Sequence, residues 1–494
     1  MDELCRDSRL ELYDDEQFTA KSVTIAASAV RDRLLPSLRR AADLFAQDRA
    51  HAAKRRATAQ CARYGVHDPR RLGPAAFITE LMFDRQFRRG PRETCSREEL
   101  CAKVTERVAA RAPIAMVIPA LPYKFSCPLK TRGQLPDLAE ANFILCLYEI
   151  AAAVDLLYRE IDPERPSPLA TFTVVSDGSR FNQLVNEPDA VIESYQDNLA
   201  CWIARLQLSQ YVEVIDYQAL LRDRLPPAAR EAKEALRQQG LRQYAETMWP
   251  VFDPSNMPAC LAAARRIDPD PEESSQEGRF VSLMKSLVFT VNYRSLDRFR
   301  TLSPQRFRTL YHELTGHIFD PFIRLTPSEL QTYEEEAERG EGFPARLGAK
   351  EYLRQAMLRE VWRATIAYIA EIKSDRELAS EPISACLPDH VRWTIHAKPG
   401  QLGLLTPAAL GKPVQAWAGA AVFKRVRQDG IKLCTLPVLA LEGAGAIPVW
   451  SSEGSDAPQP ARQPLFYIYP DVACASIDEF LAGLSGRLVR RRAS

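Results

Sequence analysis

The sequence lacks the short motifs that most directly identify a catalytic class. It contains no GxSxG nucleophile elbow, no GxxxxGK[ST] phosphate-binding loop and no GxGxxG dinucleotide fingerprint. Each of these motifs shapes a backbone turn for one kind of nucleophile or ligand. Their absence removes the commonest sequence arguments for an α/β-hydrolase, a P-loop enzyme and a dinucleotide-dependent enzyme.

Metal-binding patterns are equally scarce. Six histidines are dispersed along the chain, and the 11 cysteines include no CxxC pair. The nearest approach to a zinc motif is His312-Glu-Leu-Thr-Gly-His317, whose histidines are five residues apart instead of the four that direct both rings to one metal. Five residues turn a helix by about 500°, so the two rings diverge. We therefore expect no metal, and the motif argues against a metalloprotease.

Charge and hydropathy argue against two kinds of partner. The formal net charge is +1, so no positive excess favours nucleic acid or an anionic membrane. The acidic N-terminus has no apolar segment typical of a signal peptide, and the apolar stretch 434–450 is interrupted by Glu442 and two prolines. Scattered cysteines are typical of a reducing compartment. We expect a cytoplasmic protein with neither a nucleic-acid nor a membrane partner.

Three regions are predicted along the chain. Residues 1–75 form an N-terminal helical segment, because 20–64 are rich in Ala, Arg and Leu at helical spacing. Residues 76–430 form the main α/β domain, and 431–494 form a C-terminal β-containing extension with a basic tail.

Three apolar runs alternate with helical segments in the main domain. Ile114–Pro119, Thr171–Gly178 and Tyr211–Asp216 predict buried strands, whereas Pro136–Tyr158 and Pro188–Ser209 predict the helices between them. This alternation is typical of an α/β fold with a Rossmann-like, mostly parallel sheet flanked by helices. In such sheets, ligands bind beyond the carboxyl ends of the strands.

The rest of the chain is predicted to be helical and then β-rich. Residues 226–380 are mostly helical in pattern. Strands are predicted at His390–His396, Ala420–Arg427, Ile431–Leu436 and Leu465–Tyr469, and a Gln428-Asp-Gly turn joins the second and third of these as a hairpin.

Charged and hydroxyl side chains collect where the predicted strands end. The residues concerned are Lys124, Ser126, Lys130, Arg132, Asp137 and Glu140 after the first strand, Ser176, Asp177 and Arg180 after the second, and Arg392, His396 and Lys398 on a later strand and its exit. Lysine and arginine suit a phosphate or a carboxylate. Carboxylates can hold hydroxyls or transfer protons. The pattern predicts an enzyme that acts on a small, anionic, hydroxylated metabolite.

A purely structural role for the two acidic residues of the first loop remains open. Asp137 and Glu140 lie at the predicted start of a helix. Carboxylates there stabilise a helix by about 0.3–1 kcal/mol through its dipole alone. Helix capping therefore competes with catalysis as an explanation of Asp137.

The first loop also resembles a known family. Pro119-Ala-Leu-Pro-Tyr-Lys124-Phe-Ser126, Lys130-Thr-Arg-Gly133 and Leu135-Pro-Asp-Leu-Ala-Glu140 are similar to the signature block of the pyoverdine/dityrosine biosynthesis family, the isocyanide (isonitrile) synthases. The resemblance continues through Val175–Gly178 and Asp189–Tyr195, and later through Val391–His396, so that it spans roughly residues 75–430. Leu121 stands where the family has an aromatic, and no histidine follows Trp417.

The resemblance implies a reaction without metal or redox cofactor. An amino acid, typically tyrosine or tryptophan, condenses through its amine with the ketone of ribulose 5-phosphate. The ketone carbon becomes the isonitrile carbon after C–C cleavage. The resemblance also implies a role in secondary metabolism, and an iron/2-oxoglutarate oxygenase as a downstream partner.

The implied roles divide the candidate residues into two groups. The catalytic group is Lys124, Asp137, Glu140 and Asp177. The substrate-binding group is Ser126, Lys130, Arg132, Ser176, Arg180, Arg392, His396 and Lys398. Two rivals remain open: a related enzyme that modifies the amino-acid nitrogen with another co-substrate, and an inactive binding subunit that keeps the fold.

Overall fold

The computed structural model describes most of the chain with internal gaps. The described residues are 23–63, 73–88, 95–124, 127, 130–160, 163–164, 168–185, 187–269, 278–295, 349–378, 380–395, 400–406, 414–426, 430–451, 463–472, 480–481 and 484. The predicted site residues Ser126, His396 and Lys398 lie outside this set, as does the segment His312–His317.

Helices make up most of the described structure. The longer α-helices are α1 (Leu35–Arg63), α2 (Gly73–Met82), α3 (Arg97–Ala109), α4 (Leu138–Arg159), α5 (Asp189–Arg205), α6 (Tyr217–Arg224), α7 (Pro227–Met248), α8 (Met257–Ile267), α9 (Arg279–Ser295) and α10 (Ala349–Arg376). Shorter α-helical turns are Ala27–Ala29, Gly178–Phe181, Pro382–Cys386 and Val438–Gly443. A π-helical turn spans Val30–Leu34, and 3₁₀ turns span Asn182–Val185, Trp249–Val251 and Ala416–Ala418.

The first sheet is parallel throughout. Its strands are β2 (Ile114–Pro119), β3 (Ala170–Ser176), β4 (Val212–Asp216), β5 (Val391–Thr394) and β6 (Leu402–Gly403), in the order β4-β3-β2-β5-β6. The register places Pro119 beside Val175 and Ser176 beside Asp216, so the carboxyl ends of β2, β3 and β4 lie at one edge. The predicted α/β fold and its parallel sheet are confirmed.

The second sheet is mixed. It contains β1 (Val23–Ile25), β7 (Ala420–Val426), β8 (Gly430–Leu436), β9 (Ile447–Ser451) and β10 (Phe466–Ile468), in the order β1-β9-β10-β7-β8. Strands β7 and β8 form the predicted antiparallel pair. Strand β1 pairs in parallel with β9, which joins an early part of the chain to a late one. The division into three regions stays a prediction, and its boundary at 430 falls at the first residue of β8.

Helix α4 is the centre of the core. It contacts α1, strand β3 of the first sheet, and strands β7 and β8 of the second. Its sequence is apolar on every side and contains neither proline nor glycine, so nearly all its side chains can be buried. Among the described helices it alone has the length and composition to span a membrane, but 94% of its most apolar window is buried inside the protein. It is a core helix of the α/β fold.

The turn after β3 fits closely against the loop after β2. A Cβ atom at Gly178 would lie 2.2 Å from the carbonyl oxygen of Pro122, much closer than van der Waals contact. The turn therefore requires glycine at this position.

Substituting Gly178→Ala should lower the free energy of unfolding by about 1–3 kcal/mol, because the added methyl group must displace backbone. Urea denaturation followed by circular dichroism would measure this change. Gly443→Ala is the matched control, because a methyl group at that position would meet no atom within 4 Å. Equal stability of the two variants would contradict the close fit at Gly178.

Candidate active site

The site begins where β2 and β3 end side by side. The Ser176 hydroxyl donates a hydrogen bond to the carbonyl oxygen of Leu121 at 2.9 Å. Leu121 is fully buried and has a φ of 56°, a left-handed conformation that costs a non-glycine residue about 1–2 kcal/mol. Strained backbone of this kind concentrates at functional sites. Here it directs the chain from β2 toward Tyr123 and Lys124.

Lys124 lies buried between two carboxylates. Its side chain is 1% exposed, and its Nζ atom is 2.5 Å from Asp137 Oδ2 and 3.1 Å from Glu140 Oε2. The structure therefore brings together three of the four predicted catalytic residues. We call Lys124, Asp137 and Glu140, with Tyr195, the lysine cluster.

The same carboxylates cap helix α4. The backbone N–H of Ala139 donates to Asp137 Oδ1 at 2.6 Å, and the backbone N–H of Asp137 donates to Glu140 Oε2 at 2.9 Å. This is a capping box, in which the N-cap and N3 side chains each satisfy a backbone donor. Capping is thus a real role of Asp137. It also fixes both carboxylates in position to bind the Lys124 ammonium group, so the two explanations are compatible.

The surroundings of Glu140 shift the pKa of its carboxyl group toward neutral pH. Burial is the largest influence and raises the pKa of Glu140 to about 8, although the neighbouring Lys124 ammonium group opposes the shift. Burial would lower the pKa of Lys124, but Asp137 and Glu140 outweigh it and raise that pKa above its ordinary value. The Tyr195 hydroxyl donates to Glu140 Oε1 at 3.3 Å. The lysine cluster can therefore hold an exchangeable proton at Glu140 at ordinary pH.

A second set of buried ion pairs lies beside the β3 turn. Arg180 Nε is 2.8 Å from Glu371 Oε1, and its Nη2 is 2.7 Å from Asp375 Oδ2. Lys233 Nζ is 2.6 Å from Glu371 Oε1 and 3.4 Å from Asp375 Oδ1. We call these four residues the arginine cluster. It connects the β3 turn to helices α7 and α10.

Several neighbours reinforce the charge of Arg180. Burial would lower the pKa of Arg180, but Asp375, Tyr217 and Glu371, with Asp177 as a smaller influence, raise it above its ordinary value. The guanidinium carbon also lies 4.8 Å from the centre of the Phe181 ring and 4.9 Å from that of Tyr217. Arg180 is therefore held as a cation by contacts on several sides.

The remaining predicted basic residues occupy other places. Arg132 forms a buried ion pair with Glu442 in the Val438–Gly443 helix. Lys130 is partly buried, and its carbonyl oxygen accepts a hydrogen bond from the backbone of Val438. Arg392 Nη2 lies 2.9 Å from Glu381 Oε1. The structure thus pairs Arg132, Arg180 and Arg392 with different carboxylates.

Sequence reasoning missed several residues of these clusters. Tyr195 lies inside a stretch that carries the family resemblance, which was the one available signal for it. Glu371 and Asp375 are four residues apart on α10 and so share one helix face. That spacing does not reveal that this face of α10 contacts Arg180, because Arg180 is far from both residues in the sequence.

Metal ligation has no support among the residues that the structure describes. No group of three or more histidine, cysteine, aspartate or glutamate residues is placed there to hold an ion. The absence of a metal remains a prediction for the whole chain.

Comparison with known proteins finds a family similarity in the segment that contains the loop after β2 and the turn after β3, which we call the two signature loops. Residues 104–308 match the family model described as "Pyoverdine/dityrosine biosynthesis protein". This match covers less than half of the chain and confirms, over that segment, the predicted resemblance to the pyoverdine/dityrosine biosynthesis family.

Three relatives carry related names. The L-tyrosine isonitrile synthase of Pseudomonas aeruginosa is 30% identical over 183 residues, which are 35% of this chain and 52% of the relative. That of Xenorhabdus nematophila is 32% identical over 84 residues, 17% of this chain and 23% of the relative. Isocyanide synthase A of Aspergillus fumigatus is 32% identical over 110 residues, 22% of this chain and 17% of the relative. The chain thus spans at most about half the length of these relatives.

One solved structure is also similar. The crystal structure of the PvcA protein from Pseudomonas aeruginosa aligns with a TM-score of 0.47 at 18% identity, covering 81% of this chain and 100% of that chain.

The raised pKa of Glu140 predicts a pH-dependent stability. An unfolded glutamate ionises near pH 4.3, so folding raises its proton affinity. Its contribution to the free energy of unfolding is therefore complete below about pH 4 and is lost as the pH rises through about 8. Glu140→Gln cannot titrate, and glutamine still allows a capping box. The wild type should therefore lose stability relative to Glu140→Gln as the pH rises.

Urea unfolding of both proteins between about pH 5 and pH 9 would measure this difference. Glu193→Gln, an exposed position on α5, is the control and should show no such trend. A difference between wild type and Glu140→Gln that stays constant with pH would contradict the raised pKa.

Proposed function

We propose that the chain is an isonitrile synthase of secondary metabolism. It would condense the amine of a tyrosine- or tryptophan-like amino acid with ribulose 5-phosphate in the cytoplasm, without metal or cofactor. The family match over 104–308 and the names of three relatives support this assignment. The proposed partners are these two small molecules and a downstream iron/2-oxoglutarate oxygenase.

The observation that carries the proposal is the lysine cluster. It lies within the matched segment and combines a buried ammonium group with two carboxylates, one of which has a pKa of about 8. Condensing an amine with a ketone and then cleaving a C–C bond requires repeated proton transfer. A rigid, water-poor cluster with an exchangeable proton suits that requirement.

The other predicted residues are proposed to bind the substrates. Lys130 and Arg132 lie in the loop after β2 and Arg180 lies in the turn after β3. Lysine and arginine suit a phosphate or a carboxylate. Ser126 and Ser176 are the proposed hydroxyl-bearing residues, and because Ser176 already donates to the Leu121 carbonyl it would accept from a substrate. Asp177 beside Arg180 is the remaining acid/base candidate. Arg392, His396 and Lys398 are proposed to hold the amino-acid carboxylate.

A related enzyme that modifies an amino-acid nitrogen with another co-substrate is the second candidate. One observation favours it: the position after Trp417 is alanine, not the histidine of the family pattern. Trp417 is buried and packs edge-to-face on Phe143 of α4, with ring centres 5.9 Å apart. The departure therefore lies beside the helix that carries the lysine cluster.

Incubating the protein with ribulose 5-phosphate and a panel of amino acids, and trapping isonitriles with a tetrazine, tests the proposal. The wild type should give a trapped product with one or a few amino acids. Lys124→Met and Glu140→Gln should each lower the rate by about 10²–10⁴-fold, the usual contribution of a positioned acid or base.

Glu193→Gln serves as the control for these variants, and circular dichroism checks that each remains folded. Full activity in both folded cluster variants would contradict the catalytic assignment. Conversion of the amino acid to a different N-modified product would favour the second candidate. Unchanged substrates with a well-folded wild type would favour an inactive binding subunit.

A further inference from the structure

A cavity of about 460 Å³ lies beside the arginine cluster. The β3 turn, helix α6, helix α7 and Glu371 of α10 contribute its walls. Cavities that hold small metabolites have volumes of about 300–1,000 Å³. The space is therefore sufficient for a small phosphorylated sugar.

Positive charge predominates among the residues that line the cavity. The cationic side chains are Arg180, Arg222, Arg230, Lys233 and Arg237, and the anionic ones are Glu234 and Glu371. None of these except Arg180 was a sequence-predicted site residue. Whether this positive charge is available to a ligand depends on the carboxylate partners of each cation.

Most of these cations already have a carboxylate partner. Glu371 and Asp375 bind Arg180 and Lys233, as described for the arginine cluster. Glu234 accepts from Arg237 at 2.7 and 2.8 Å, and Asp223 lies 3.1 Å from the exposed Arg222. Their charges are thus largely balanced inside the protein.

Arg230 differs from the other four cations. Its Nε atom is buried and has no hydrogen-bond partner among the described residues, and no carboxylate there lies within ion-pair distance of its guanidinium group. The Ser179 hydroxyl, in the β3 turn, is likewise buried without a partner in the part of the chain that the structure describes. Both side chains line the same cavity.

Two orphaned polar groups at one cavity point to a missing ligand. Buried polar groups are nearly always hydrogen-bonded, and leaving such a bond unmade is costly. A guanidinium group, a hydroxyl and a nearby ammonium group together match an oxyanion with several acceptor oxygens. A phosphate ester has this form and carries the charge that the cavity complements.

We propose that this cavity binds the phosphate group of a small phosphate monoester, with Arg230 and Ser179 as its direct donors. Lys233 and Arg180 contribute positive charge at the wall, held in place by Glu371. The identification of the ester as ribulose 5-phosphate rests on the proposed function, whereas the phosphate site rests on the cavity itself.

The turn that lines the cavity also contacts the loop that leads to Lys124. The β3 turn that carries Ser179 and Arg180 packs against Pro122, two residues before Lys124. The turn that carries Ser179 is therefore in direct contact with the loop that leads to Lys124, whereas Arg230 lies on α7.

Isothermal titration calorimetry with ribulose 5-phosphate, ribulose and inorganic phosphate tests this site. The wild type should bind ribulose 5-phosphate, inorganic phosphate should compete with it, and ribulose should bind at least about tenfold more weakly. Arg230→Gln should raise the Kd for ribulose 5-phosphate by about tenfold or more, and Ser179→Ala should raise it less, because it removes a neutral donor.

Arg242→Gln is the matched control, because Arg242 is an exposed arginine of the same helix that does not line the cavity. Its Kd should equal that of the wild type. Unchanged affinity in folded Arg230→Gln, equal binding of ribulose and ribulose 5-phosphate, or no binding of any phosphate compound would overturn the site.

The two proposals can fail separately. Phosphate-ester binding that depends on Arg230, without isonitrile formation from any amino acid, would keep the site and overturn the proposed function. Isonitrile synthesis with an unchanged KM for ribulose 5-phosphate in Arg230→Gln would keep the function and overturn the site.

Discussion

The buried ion pair of Lys124 is the constraint on which the site depends. A lone ammonium group cannot be buried without a large desolvation cost, which the acidic side chains of Asp137 and Glu140 offset for Lys124. Those carboxylates are in turn oriented by the capping box of α4. The start of the central helix, the loop after β2 and the candidate chemistry are therefore one interdependent arrangement, and a change in any of them disturbs the other two.

The two charged clusters are assembled from different parts of the chain. Three residues of the lysine cluster are local in sequence, because Lys124, Asp137 and Glu140 belong to one loop and one helix start, and Tyr195 joins them from α5. The arginine cluster is assembled from distant segments, since Arg180, Lys233 and Glu371 come from a strand exit and two helices. Proton transfer would thus be built into one short segment, whereas ligand binding would depend on how the helices pack.

The sequence predicted the parts of this arrangement that are encoded locally. Apolar runs of strand length identified β2, β3 and β4, and Pro136-Asp-Leu-Ala-Glu140 identified the start of α4. The ion pairs of Lys124 were not predictable from spacing, because the loop geometry depends on the left-handed Leu121. Strands β1 and β6 contain three and two residues, too few to show any periodicity. Arg230 offered no signal either, because its surroundings come from helices whose docking no local pattern specifies.

The pairing of β1 with β9 has a consequence for how the protein folds. Val23 lies beside Val449 in this ladder, so nearly the whole chain forms the loop that the contact closes. Such closure is entropically costly and slow, and it cannot occur during synthesis until the late strands have left the ribosome. The parallel sheet strands β2, β3 and β4 come from one continuous segment and need no such delay. The nascent chain can therefore form the two signature loops before its mixed sheet is complete.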